Sequence, residues 1–386
     1  MWIFMTYAAA LPVLRPAWGM SATAAGSIST GFQLGYAVSL MAFSSLADRL
    51  GARRVFVGSA WLSAAAAIAF ALFARSYVSG LMLYTLVALA QGGTYTTAIM
   101  LIADRYPPAR RGAAVGWLLA SSSLGYALSL LVAGAAIPRG GYPLAFVFTA
   151  AGPVVAVGLA WLALRRTPNV VHRRPSGGAK FGGEVLQNGP AMRLMLGYTF
   201  HSWELLGMWA WTPAFVAACL VAAGYGGVQA VGFGAVVSAA FHVMGLIASS
   251  SMGRLSDRLG RRSLLVTLAA LSTICSFVFG WLIGWPIAVI FAVGAVYGFA
   301  ALGDSPVLST AITEVVSPSY LGAALALRSL LGFGAGAIAP LVFGAVIDAT
   351  NAPGAAPTSW GWAFVTLGLG GAAATYCAWG LARKTP

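Results

Sequence analysis

Ser45-Leu46-Ala47-Asp48-Arg49-Leu50-Gly51-Ala52-Arg53-Arg54 reappears 209 residues later as Arg254-Leu255-Ser256-Asp257-Arg258-Leu259-Gly260-Arg261-Arg262, with Asp48 set on Asp257. A second pattern, Asp104…Pro108…Gly112-Ala113-Ala114, recurs as Glu314…Pro318…Gly322-Ala323-Ala324 at a spacing of 210. Two unrelated patterns repeating within one residue of the same spacing divide the chain into two halves of common design.

What surrounds these motifs is apolar. The chain has 386 residues, of which 60% are hydrophobic and only 8% charged, and its mean hydropathy is +0.85. A water-facing surface needs about 25% charged residues, so the composition belongs to an integral membrane protein. Runs long enough to cross a bilayer as helix cover 22–46, 55–74, 78–102, 113–136, 144–164, 194–218, 229–252, 263–283, 287–312, 322–347 and 361–382. Met1 to Leu14 is apolar but short, and Met1-Trp2-Ile3-Phe4 lacks the basic start of a signal peptide. It is expected to be the second half of a first helix, giving twelve helices in all with the first incomplete. The expected divisions are an amino-terminal membrane half over 1–164, a linker over 165–193 and a carboxy-terminal half over 194–386.

The formal charge of +14 invites nucleic acid as a partner, but its placement indicates topology instead. Eighteen of the 22 basic residues lie in the tail and in alternate links, among them Arg53, Arg105, Arg166 and Arg262. Only Arg15, Arg75 and Arg139 lie in the opposite links. By the positive-inside rule these alternate links and both termini are expected in the cytoplasm, in a multi-pass plasma (bacterial inner) membrane protein. Cys219, Cys275 and Cys377 are odd in number and lack metal-ligand spacing. No cofactor, metal or nucleic acid is expected.

At the repeated motif the chain resembles the major facilitator superfamily of secondary transporters. The family's loop signature, G-x-L-x-D-R-x-G-R-R, is complete in Gly253, Leu255, Asp257, Arg258, Gly260, Arg261 and Arg262. The first half keeps Asp48, Arg49, Gly51, Arg53 and Arg54, with Ser44 at the opening glycine and one extra residue of spacing. The resemblance implies two six-helix halves around a central site, with Asp48 facing the start of helix 11 and Asp257 the start of helix 5 as a latch. It also implies that helices 3, 6, 9 and 12 face lipid. Those four spans hold no Asp, Glu, Lys, Arg or His. Two departures weaken drug efflux. The arginine that the family's drug/proton antiporters carry before Gln91-Gly92 is Ala88 here, and their helix 5 Gly-Pro motif is replaced by Ser121-Ser122-Ser123-Leu124-Gly125-Tyr126.

Ionisable residues inside the spans are few: His201, Glu204, His242, Asp304 and Arg328. Each is costly at the bilayer centre and is by default a functional candidate. Glu204 lies ~15 Å into helix 7 and His242 ~20 Å into helix 8 by helical rise. His201 and Glu204 share a face by their i,i+3 spacing. They suit either a proton-loading pair or a structural hydrogen-bonded one. Asp304 and Arg328 come to a common depth; either they pair, or Arg328 is the docking point for an anion. Gln91, Thr94, Tyr95, Trp117, Ser121, Ser122, Tyr126 and Trp211 are expected along the cavity.

The expected activity is proton-coupled transmembrane transport of a small organic solute, anionic or carboxylate, by alternating access and as a monomer. The alternatives are a drug or hydrophobic-cation proton antiporter and a non-transporting membrane sensor. No nucleotide loop, nucleophile elbow or metal cluster points to an enzyme.

Overall fold

The computed structural model describes residues 2–171, 185–316, 318–352, 356 and 358–381; at 103, 108–113, 115, 116, 119 and 318–323 only the backbone is described. Among the described residues there are helices and no strands. In chain order they are α1 (Thr6–Ala17), α2 (Ala22–Leu50), α3 (Ala52–Phe73), α4 (Tyr77–Arg105), α5 (108–139) and α6 (142–164). The second half follows with α7 (Gly189–Ala222), α8 (Gly227–Leu259), α9 (Arg261–Phe279), α10 (Ile287–Val315), α11 (Pro318–Thr350) and α12 (Gly361–Trp379).

Local chemistry sets the breaks. α5 and α6 are separated by Gly140 and by Gly141, whose φ of +67° is open to glycine and strained for other residues. Pro143 then falls in the first turn of α6, where its missing N–H costs no intrahelical bond. Ser21 caps α2 through its side-chain oxygen, and Ser76 with Ser79 forms a reciprocal box at the start of α4. In both repeated motifs the glycine is the whole connection: Gly51 at φ +89° joins α2 to α3, and Gly260 at φ +84° joins α8 to α9. Arg49 and Arg258 sit in the last turns before these glycines, where positive charge suits the helix dipole.

Among the described residues, eight helical stretches are long and apolar enough to cross a membrane, one of them (120–164) containing the α5–α6 break. α2 and α12 are not among these eight. α2 dilutes its hydropathy with Ser27, Ser29, Thr30, Gln33 and Ser39, and α12 does so with Thr366, Thr375, Tyr376, its tryptophans and its glycines. α3, α6, α9 and α12 present exposed large apolar side chains, including Trp61, Leu159, Ile274 and Leu369, as an outer layer facing lipid requires.

The ends of the bundle are distinguished here as the linker face, where α6 ends and α7 begins, and the far face. The two halves meet through α2 against α11 and α5 against α8. A Cβ on Gly26 would lie 2.2 Å from the Pro340 carbonyl oxygen, and one on Gly344 2.2 Å from that of Ala22. Gly134 and Gly232 approach each other's carbonyl oxygens in the same way, at 2.7 Å. Small residues of this kind let backbones touch where no water drives association. Near the far face the Asp348 carboxylate accepts hydrogen bonds from the Ala22 and Thr23 backbone amides, at 2.8 and 2.7 Å, and from the Thr23 hydroxyl at 2.6 Å. Thr30 donates to the Ala337 carbonyl at 2.5 Å.

One arginine of each motif's closing pair, Arg53 and its counterpart Arg262 at a spacing of 209, has a structural task. Arg53 Nε donates to the Leu164 carbonyl at 2.8 Å, and Arg262 Nε to the Trp379 carbonyl at 3.0 Å. Arg262 thereby satisfies an open carbonyl at the end of α12, and Arg53 adds a second donor to a carbonyl at the end of α6 that also accepts from the Thr167 amide. Arg261 bridges Asp257 and Glu314, at 3.1 Å from the latter, and also reaches Ser256 and the Gly253 carbonyl. The expected latch of Asp48 on the start of α11 and of Asp257 on the start of α5 falls on 318–323 and 108–113, outside the described side chains.

Candidate functional site

α7 has apolar residues around its whole circumference, so its polar side chains are oriented by what packs on it. Two chambers lie along it and share Met5 and Trp209 as a partition. One is walled by α7, α8, α9 and α10, with Thr212, Ser238, Phe241, His242 and Tyr297 in its lining. The other lies toward α1, α2 and α4 and is lined by Phe4, Phe32, Gln33 and Tyr84 among others. Phe4, Tyr126, Trp209 and His242 form a continuous aromatic cluster at the partition, with ring centroids 4.8–6.0 Å apart. Four buried polar atoms on these walls, Gln33 Oε1, Trp209 Nε1, Thr212 Oγ1 and His242 Nδ1, have no hydrogen-bond partner among the described residues. Buried polar groups are normally paired, and leaving one unpaired costs about 1–3 kcal/mol. A bound solute with its own donors and acceptors would satisfy them.

The ionisable residues fall into three groups. His242 stands on the chamber wall. His201 Nδ1 pairs with Asp304 Oδ2 at 3.0 Å, and its Nε2 meets the Ser305 hydroxyl at 3.0 Å, tying α7 to α10. Asp304 therefore pairs with His201 and not with Arg328, because the side chains at matching depth point to different neighbours. The second oxygen of Asp304 is unpartnered among the described residues; the residue lines a crevice that runs from Arg193 and Leu381 at the linker face, between α7, α9, α10 and α12. Arg328 instead donates to the Ser309 hydroxyl at 3.1 Å and lies 4.1 Å from the centroid of the Tyr198 ring. No carboxylate among the described residues pairs with it.

Glu204 forms the third group. It does not pair with His201, one turn away, and it lies behind α7 rather than on a chamber wall. Its Oε1 accepts from Ser272 at 2.8 Å and from Ser276 at 2.6 Å, both on α9, and Ser276 is also bonded to the Tyr297 hydroxyl of α10. Gly371 of α12 completes the enclosure: a Cβ there would stand 2.7 Å from Glu204 Oε2. Ser272, Ser276 and Tyr297 were absent from the sequence reading, although two serines four residues apart in a charge-free span mark one helix face.

The remaining expectations divide. Tyr126 is at the aromatic partition. Trp211 is off the cavity: it is fully buried, stacked on Phe343 at 5.1 Å, and donates to the Pro340 carbonyl at 3.0 Å. Trp203 likewise bonds the Thr366 carbonyl of α12. Trp117 is 78% exposed on α5 and is not among the chamber-lining residues. Ser121 and Ser122 donate to the Leu118 carbonyl of their own helix, and Thr94 to that of Gln91. Gln91 is buried with its Oε1 unpartnered, and Tyr95 packs at the edge of the main core.

Two pseudo-symmetric helical halves, with lipid-facing outer helices and buried unpaired polar groups along α7, define a multi-pass membrane transporter. A family model described as the Major Facilitator Superfamily matches residues 1–233 and 227–386, and the chain belongs to that family. It is 25% identical to an uncharacterised MFS-type transporter of Mycobacterium tuberculosis, over 91% of this chain and 76% of the relative. It is 23% identical to the hexuronate transporter of Bacillus subtilis, over 89% of this chain and 83% of that one. A probable 4-methylmuconolactone transporter of Cupriavidus pinatubonensis is 31% identical over 124 residues, or 32% of this chain and 28% of the relative. Among solved structures, a nucleoside transporter superposes with a TM-score of 0.75 at 12% identity, covering 99% of this chain and 98% of that one. An inward-facing, occupied bacterial homolog of the human lysosomal transporter Spinster gives 0.72 at 18%, covering 98% and 92%. These structures share the fold.

Proposed function

We propose that the protein moves a small organic anion, of carboxylate type, across the plasma membrane by proton-coupled alternating access, with both termini in the cytoplasm. The observation that carries this reading is Arg328, a membrane-embedded cation that no carboxylate among the described residues pairs with. Such a charge is expensive in the bilayer unless a partner arrives, and a substrate carboxylate is that partner. A hexuronate transporter among the relatives supports the same class of solute. Glu204, enclosed by hydroxyls within the carboxy-terminal half, is the proton carrier, and the chambers at Trp209, about three helical turns farther along α7 than Tyr198, lie on the solute's onward path. The joined far face suits a state closed on that side.

A second reading, export of hydrophobic or cationic compounds, draws on the aromatic partition of Phe4, Tyr126, Trp209 and His242. One experiment separates the two. In proteoliposomes with an imposed pH gradient, a panel of labelled small carboxylates should yield a solute that accumulates, and Arg328→Gln should raise its KM at least ten-fold. Accumulation of lipophilic cations with no response to carboxylates would overturn the anion reading.

A further inference from the structure

Glu204 lies off the solute's path, so its proton needs a route. Among the described residues, the titratable groups around it are His201 on α7, Cys275 on α9, and Tyr297 and Asp304 on α10, while α12 sets Gly371 against it. Arg328 is separated from it by Tyr198 and His201, which it faces. Of these groups, one leads to a chamber through continuous hydrogen bonds. Tyr297 lines the chamber that contains His242, its hydroxyl is bonded to Ser276 Oγ, and Ser276 Oγ is bonded to Glu204 Oε1 at 2.6 Å.

The polarity of this chain is fixed by counting hydrogens. A serine hydroxyl has one proton to donate. With Glu204 ionised, Ser276 gives that proton to the carboxylate, so the Tyr297 hydroxyl must donate to Ser276. Every bond then points from the chamber toward the acid. With Glu204 protonated on Oε1, that oxygen donates to Ser276 and the two bonds of the chain reverse, pointing toward the chamber.

We infer that Glu204 exchanges its proton with the solute chamber through Tyr297 and Ser276. This rests on the proton-coupled reading above. A proton from chamber water binds the Tyr297 oxygen as that hydroxyl's own proton passes to Ser276 Oγ. The proton of Ser276 passes to Glu204 Oε1. Each hydroxyl oxygen gains one O–H bond and loses one, the carboxylate becomes neutral, and no electrons are transferred. Release runs the same steps backward. Because the port is in the chamber, the acid senses whichever side of the membrane the chamber faces. The linker-face crevice at Asp304 is a competing entrance, but no hydrogen bond among the described residues joins Asp304 or His201 to Glu204.

The test is Ser276→Ala in proteoliposomes, scored for solute exchange without a gradient and for accumulation under an imposed pH gradient with an internal pH dye. Ser276 touches neither chamber, so exchange should stay within about two-fold while gradient-driven accumulation and dye-reported proton flux fall at least ten-fold. Tyr297→Phe, scored as the ratio of driven to exchange rates because it lines the chamber, should lower that ratio equally. A coupled wild type with both variants fully coupled overturns the relay alone. So does a loss of coupling confined to Asp304→Asn. A wild type that exchanges solute but ignores the gradient overturns the coupling, and the relay with it.

Discussion

Asp348 on α11 takes hold of Thr23 on α2 twice, through the backbone amide at 2.7 Å and the hydroxyl at 2.6 Å. The two residues belong to opposite halves, and the carboxylate sits where the first-turn amides of α2 have no intrahelical partner. It therefore caps a helix of the other half and fastens the far face in one arrangement.

Replacing Asp348 with Ala should loosen that closure. The carboxylate is partly exposed, so the loss is about 1 kcal/mol, roughly a five-fold change in population. The readout is the labelling rate of a cysteine introduced at Ser29, probed with an impermeant maleimide from the far face. The rate should rise about five-fold, and an unchanged rate would remove Asp348 from the closure.

Gly371→Ala should act on Glu204 from behind. The added Cβ would stand 2.7 Å from both Glu204 Oε2 and Thr273 Oγ1, and overpacking of this kind costs about 1–3 kcal/mol. A lowered Tm together with weaker gradient-driven transport is the expected result. An unchanged Tm would mean that the enclosure yields freely.

Two tryptophans two residues apart should behave differently. Trp211→Ala removes a fully buried ring and should cost about 3–5 kcal/mol of stability. Trp209→Ala opens the partition between the chambers, so KM for the transported solute should rise at least ten-fold with a smaller change in Tm. Equal effects on KM would contradict the placement of Trp211 outside the cavity.

Arg53→Ala and Arg262→Ala each remove a donor from the end of the last helix of one half. Each should lower stability by about 0.5–1.5 kcal/mol, and the double variant should show the sum because the sites share no partner. Thermal unfolding in detergent measures this, and clear non-additivity would show that the caps communicate.

The halves, their helices and the glycine-turn motifs were legible in the sequence because a bilayer imposes long apolar runs and a repeat announces itself by its spacing. The direction in which each helix turns its residues was not. Trp209 and Trp211 differ by about 200° around α7, and with apolar residues on every side no stripe says which one meets the cavity. The same uncertainty left open whether Asp304 pairs with Arg328: depth along a helix can be counted, whereas azimuth depends on neighbours. Asp348 escaped notice because it falls one residue beyond the apolar run at 322–347, where a carboxylate reads as an ordinary surface charge.

The close approaches of Gly26, Gly134, Gly232 and Gly344 have a mechanical consequence. Where main chain rests on main chain, as at Gly26 and Gly344, there is almost no side-chain padding to compress, and at Gly232 the padding is the rigid ring of Pro138, so the joint cannot yield by degrees. Sliding by a fraction of a turn would bring neighbouring side chains into the gap. The far face is therefore built to part as a single event, more like a clasp than a spring, and a bulky residue at any one of these four positions should hold it ajar.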